Sequence, residues 1–120
     1  MKRILIIDDE EKIRKAYGFI LRAEGFDVWE APNASQATFK IISTGHIDLV
    51  LLDINMPEVD GIKMREVISE YDSRFKIIVS SVYPIDEQKL TIPDADDYFG
   101  KAHGVDILIE KVKKVLGCAA

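Results

Sequence analysis

Five apolar runs, separated by stretches whose apolar positions recur at helical spacing, set the expected architecture. Residues 2–7 carry Ile4-Leu5-Ile6-Ile7, and residues 48–53 carry Leu49-Val50-Leu51-Leu52. Neither run alternates, which predicts two strands buried on both faces. Residues 26–30 alternate apolar with polar, the pattern of a half-exposed edge strand. A fourth strand spans 76–80 and ends at Ser81. A brief fifth, Asp97-Tyr98-Phe99, runs into Gly100-Lys101.

Helical spacing fills the intervals. Over residues 10–24, Ile13, Ala16, Tyr17, Ile20 and Leu21 form one stripe, and Gly25 ends it. Phe19 falls off that stripe and reads as a surface aromatic. Asn33 is placed to cap a helix over 34–44, with Ala34, Ala37, Thr38 and Ile41 inward and Gly45 at its end. A third helix is expected over 61–71, burying Met64, Val67, Ile68 and Tyr71. Pro84 and Pro93 bracket residues 85–92 and leave room for only a short or irregular fourth helix. The fifth, over 105–116, would bury Val105, Leu108, Ile109, Val112 and Leu116, with Ile107 outside the stripe. Strands alternating with helices demand right-handed crossovers and a mainly parallel sheet. With the two most apolar strands central, the strand order is 2-1-3-4-5. The fold class is α/β, a doubly wound five-stranded parallel sheet with five helices, as one domain over 1–120.

Composition narrows the function classes. The chain has 120 residues and a formal net charge of −5, so no basic surface argues for nucleic acid. Its one cysteine, Cys118, excludes an internal disulfide and a cysteine-based zinc site. No run approaches membrane-spanning length, and Lys2-Arg3 with four apolar residues is too short for a signal peptide. A cytoplasmic protein is expected.

Chemistry is expected where the strands end. The first strand stops at Asp8-Asp9-Glu10-Glu11, and the third stops at Asp53. In open parallel sheets the carboxyl ends of the strands are where ligands bind. If the two strands are neighbours, Asp8, Asp9 and Asp53 converge. Two carboxylates about 5 Å apart repel by about 3 kcal/mol at an effective dielectric of about 20. Such a cluster calls for a cation or protons, and an all-oxygen set suits Mg²⁺ rather than zinc. Ser81 and Lys101 end two further strands on the same edge. His46 and His103 have no partner pattern and read as loop histidines. No Gly-rich phosphate loop is present.

These segments together resemble the receiver domain of bacterial two-component response regulators, a flavodoxin-like fold. The matching residues are Ile7-Asp8-Asp9-Glu10, the stretch from Leu52-Asp53-Ile54-Asn55-Met56-Pro57 to Glu58-Val59-Asp60-Gly61, Ser81, and Asp96-Asp97-Tyr98-Phe99-Gly100-Lys101. The resemblance covers essentially the whole chain. It implies that Asp53 is the phosphoacceptor, taking a phosphoryl group from the phosphohistidine of a sensor histidine kinase or phosphotransfer protein. It implies Mg²⁺ held by Asp9 and Asp53, by Asp8 through water, and by the backbone carbonyl of Asn55. Lys101 would offer a cation to a phosphoryl oxygen, and Ser81 a hydroxyl. Ser81 and Tyr98 would form the switch, the aromatic turning from solvent to core, and the changed surface would meet a downstream partner. Asn55 and Tyr83 flank the site and could tune hydrolysis.

Two features depart from the family. Ala102 replaces the usual proline, whose cis bond aims the lysine. A cis bond before alanine costs about 2.5–4 kcal/mol, so a trans Lys101-Ala102 bond and a shifted loop are expected. The segment 81–101 is short, and Val82 stands where a small residue is common, which could narrow access to Asp53. The signal is therefore expected to leave by a surface other than the usual helix-four face, or to meet an unusual partner. A phosphorylatable switch, catalytic only in cis and not a conventional enzyme, is the first reading. A pseudo-receiver that binds protein independently of phosphorylation is the alternative. A Mg²⁺-dependent phosphohydrolase ranks last, for want of a substrate cap and of a second general acid at Asn55.

Overall fold

The computed structural model describes residues 1–54 and 76–118. Its elements are β1 (Arg3–Ile7), α1 (Glu11–Ala23), β2 (Asp27–Ala31), α2 (Ala34–Thr44), β3 (Leu49–Asp53), β4 (Lys76–Ser81), α3 (Ile85–Thr91), β5 (Asp97–Gly100) and α4 (Val105–Leu116). The helix expected over 61–71, the loop before it and Asn55 lie outside the described residues.

The strands form one sheet in the order β2-β1-β3-β4-β5, and every neighbouring pair is parallel. That is the order read from the sequence. All five residues of β3 are buried, which explains its unbroken apolar run. Side chains alternate between faces along each strand. Leu5, Ile7, Val50, Leu52, Val79 and Tyr98 share one face with Ala37 and Ile41 of α2. Ile4, Ile6, Leu49, Leu51, Ile78 and Phe99 share the other with Tyr17 and Leu21 of α1 and Leu108 and Val112 of α4.

Helix ends follow their signals. Asn33 accepts the Gln36 N–H at 2.9 Å, and Gly45 takes the left-handed conformation (φ 77°) after α2. Helix α3 is short between its prolines, as expected. Two faces differ from the expected stripes. On α1, Ala16 is exposed and the buried line is Arg14, Tyr17, Gly18 and Leu21. The cause is ionic: a Cβ on Gly18 would lie 3.1 Å from an Arg22 guanidinium nitrogen and 3.2 Å from Glu30 Oε2. The helix turns its glycine towards that pair. On α4, Val105 is 40% exposed because it opens the helix, whereas Ile107 packs on the core. Phe19 is exposed, as read.

Arg3 fastens the amino ends of three strands. Its Nε lies 2.8 Å from Asp27 Oδ2, and its Nη1 donates to the carbonyls of Thr44 and His46 at 3.2 and 3.1 Å. Its backbone N–H donates to Asp48 Oδ2 at 2.8 Å, and His46 Nε2 lies 2.9 Å from Asp48 Oδ1. Burial pushes the Asp48 pKa up, but the Arg3 N–H and His46 outweigh it, so the net value is below the ordinary 3.8. A carboxylate with a depressed folded pKa stabilises above its unfolded value and loses that contribution as pH falls through the folded one. Asp48→Asn should therefore cost about 1–2 kcal/mol near neutral pH, read by urea unfolding. The gap to the unsubstituted protein should close as pH falls below 3.8. A gap that stays constant with pH would refute the assignment.

Candidate functional site

Parallel pairing of β1 with β3 brings the two acidic strand ends side by side. Ile7 is in register with Leu52, so Asp8 and Asp53 come level at the carboxyl edge of the sheet. Asp8 and Asp53 are 2% and 1% exposed, whereas Asp9 faces solvent. A carboxylate oxygen from each of the three lies within 4.8 Å of the other two. The convergence expected from the sequence is present.

Asp8 is held on several sides. Its N–H donates to Ala31 O at 3.1 Å, and its Oδ1 accepts from Glu10 N–H at 2.9 Å. Its carbonyl accepts from Arg14 Nη1 at 2.9 Å. Arg14 is itself buried, with Nε 3.3 Å from Glu30 Oε1 on β2. Glu30 also meets Lys15 at 3.3 Å and Arg22 at 3.0 Å. Burial pushes the Glu30 pKa up, and Arg22 and Lys15 reverse this to a net lowering. A chain of charges thus runs from the edge strand to the backbone of Asp8.

Lys101 enters the cluster from the end of β5, its side chain only 4% exposed. Its Nζ lies 2.8 Å from Asp8 Oδ2, 3.4 Å from Asp53 Oδ2 and 4.0 Å from Glu10 Oε1. Burial alone would lower its pKa. The Asp8 carboxylate, with the fields of Asp53 and Glu10, outweighs burial and raises it. The ammonium is therefore kept charged. No cis peptide occurs among the described residues, so the Lys101-Ala102 bond is trans, as expected. The loop is stabilised in another way: His103 N–H donates to Gly100 O at 2.9 Å, and the His103 ring meets Phe99 edge-on at 6.3 Å. Lys101 reaches the acids without the family's proline.

Ser81 is fully buried at the end of β4. Its carbonyl accepts the Lys101 N–H at 2.8 Å, and its Oγ accepts the Tyr83 N–H at 3.0 Å. Val82, which follows Ser81, is 62% exposed. Tyr98 lies inward, 5% exposed, and its hydroxyl donates to Ile92 O at 2.5 Å.

His46 sits at the opposite edge of the sheet, and His103 packs on Phe99. Neither joins the acids. Three contributors were not singled out in the sequence. Arg14 had a faint signal, a cation on the apolar stripe beside Ile13 and Tyr17. Tyr17 belongs to the apolar stripe of its helix, yet its phenol lies in the field of the cluster. Burial raises its pKa most, Lys101 lowers it, and Asp8, Glu10 and Asp53 raise it. Gln88, a fully buried amide on α3, had no signal at all.

The donors suit a hard cation. They are all carboxylate oxygens, and exposed Asp9 leaves room for the waters that Mg²⁺ retains. Next to them a buried carboxylate and a fixed ammonium can address one phosphoryl group.

Comparison with known proteins agrees. The family model of the response regulator receiver domain matches residues 4–113. The chemotaxis protein CheY of Treponema pallidum is 33% identical over 95% of this chain and 82% of its own length. The CAI-1 autoinducer sensor kinase/phosphatase CqsS of Vibrio cholerae is 31% identical over 92% of this chain, which spans only 17% of that protein. Among solved structures, the response regulator TrrA of Thermotoga maritima with Mg²⁺-BeF superposes with a TM-score of 0.83 at 38% identity, covering 96% of this chain and 99% of TrrA. TrrA in complex with the histidine kinase ThkA superposes with a TM-score of 0.85 at 39% identity, covering 97% of this chain and 99% of that one. The chain belongs to the response regulator receiver domains, the phosphoacceptor switches of two-component signalling.

Proposed function

We propose that residues 1–120 form one receiver domain in which Asp53 is the phosphoacceptor. The observation that carries this is the buried Asp53 carboxylate, 3.4 Å from the Lys101 ammonium and beside Asp8 and Asp9. A carboxylate oxygen attacks phosphorus. The new O–P bond forms as the P–N bond of a phosphohistidine breaks, and the departing imidazole keeps the electron pair. Phosphoryl transfer needs alignment and charge neutralisation more than covalent help. Asp8, Asp9, Asp53 and the Asn55 carbonyl would hold Mg²⁺, which neutralises charge on the phosphoryl oxygens when bound. Lys101 exchanges its contact with Asp53 for one with a phosphoryl oxygen, and Ser81 supplies a hydroxyl to another. Water later cleaves the acyl phosphate in cis, with no separate substrate. The partner is a histidine kinase or phosphotransfer protein, in keeping with the kinase complex of TrrA.

The phosphate brings about −1.5 to −2 charge into the site. Movement of Ser81 together with the Tyr83 backbone bonded to its Oγ, with Tyr98 behind them, would carry this change to a downstream protein surface. A cytoplasmic setting belongs to this reading. No helix among the described residues is long and apolar enough to cross a membrane. The domain itself needs no nucleic acid or lipid. A vestigial, constitutive module is the weaker reading, because Lys101 keeps its place on the acids despite Ala102.

Incubation with Mg²⁺ and acetyl phosphate should add one phosphoryl mass, and Asp53→Ala should abolish it. A gain that survives in Asp53→Ala, or no gain in the unsubstituted chain, would sink the assignment. Lys101→Met should lower the initial phosphorylation rate about 100-fold, the scale of losing one preorganised charge donor. In EDTA the same variant should melt below the unsubstituted protein, since Asp8 and Asp53 then repel unopposed. Mg²⁺ should raise its Tm by more than it raises that of the unsubstituted protein. Equal Mg²⁺ responses would show that Lys101 does not balance the acids.

A further inference from the structure

Gln88 sits in mid-α3 with none of its surface exposed. Its Nε2 donates to two backbone carbonyls, Tyr83 O at 2.8 Å and Phe99 O at 3.1 Å. Its Oε1 has no hydrogen-bond partner among the described residues. A buried acceptor left unsatisfied costs about 1–3 kcal/mol, and methionine would fill similar space without that cost. What the amide adds is the pair of donated bonds, and both lead to the site. Phe99 lies two residues before Lys101 on β5. Tyr83 lies two residues after Ser81, and its N–H is the donor to Ser81 Oγ.

Tyr83 is therefore held from both sides, its N–H by Ser81 Oγ and its carbonyl by Gln88. A serine hydroxyl that accepts one hydrogen bond has its rotamer fixed, and its own proton is aimed at a different acceptor. We infer that Gln88 is a positioning residue for the phosphoryl site, holding the Tyr83 backbone so that Tyr83 fixes the Ser81 hydroxyl. The inference rests on the reading of Asp53 and Ser81 given above and adds the group that sets Ser81. It also gives the short α3 a task. Gln88 ties its middle to β5, and the Tyr98 hydroxyl ties its end through Ile92 O. A segment bound at both points can keep a loop in register without the length of a full helix.

The test is a double-mutant cycle on affinity for beryllofluoride, a phosphoryl mimic, with Mg²⁺ in excess and binding followed by ¹⁹F NMR. In the Ser81 background, Gln88→Leu should weaken binding about five-fold, the scale of one direct coupling. In the Ser81→Ala background the same substitution should change affinity by less than about two-fold. Gln88→Met, which restores packing without donors, should behave like Gln88→Leu. Equal losses in both backgrounds would mean that Gln88 is only structural, and no loss in the first would remove it from the site. The unsubstituted protein supplies a readout that no folding defect can confuse: the Gln88 side-chain amide resonances should shift when beryllofluoride binds. Unmoved resonances would overturn the inference. A chain that takes up no beryllofluoride at all fails the Asp53 reading itself, and this inference falls with it. That result cannot be mistaken for a Gln88 effect, because it needs no variant.

Discussion

The structure turns on one buried cation. Asp8 and Asp53 are both nearly inaccessible and come level on adjacent strands. Two carboxylates at such a separation repel by about 3 kcal/mol at an effective dielectric of about 20. Lys101 lies 2.8 Å from one and 3.4 Å from the other. Each attraction is on the order of 5 kcal/mol on the same scale, so the ammonium more than offsets the repulsion. Removing one partner of such a set leaves an uncompensated buried charge, which is the expensive state. The resting site is thus already neutral enough to fold around. It is a balanced set of charges and not a strained void.

That balance explains why a family proline can be absent. What the site needs from β5 is an ammonium at one point, however the following loop is held. Here the strand bond from Lys101 N–H to Ser81 O fixes the backbone, and the Gly100–His103 turn with its ring contact to Phe99 fixes the loop. The lysine is then aimed by the acids themselves. A flexible four-carbon stem suits this, because it can follow its counter-charges.

Much of this was legible in the sequence because it follows from local periodicity. The unbroken runs of β1 and β3 identified central strands. Their order then forced Asp8 and Asp53 together, with Ser81 and Lys101 on the same edge. The boundaries of α2 followed from Asn33 and Gly45. What escaped was non-local. Ala16 obeys the helical stripe yet faces solvent, because Glu30 on another element draws Arg14 and Arg22 across Gly18. Val105 obeys it too, but it opens its helix. Gln88 shows no pattern, since its value lies in two carbonyls that the chain brings near only after β5 has paired. The inward pose of Tyr98 likewise depends on a carbonyl six residues away.

The polar groups missed by periodicity do related work at opposite ends of the sheet. Arg14 links the backbone of Asp8 to Glu30 on the edge strand, and Arg22 donates to Val28 O and Glu30 on that strand. Charged side chains on an edge discourage pairing with another chain, so this network guards the edge while it steadies the loop that carries Asp8 and Asp9. Gln88 does the corresponding service on the far side, between the loop after Ser81 and β5. The apolar core fixes which strands are neighbours, but a hydrophobic contact is non-directional. It cannot set a carboxylate or a hydroxyl to within the half-ångström that phosphoryl chemistry requires. Buried directional donors can, and their desolvation cost is the reason to expect them only beside the residues they aim.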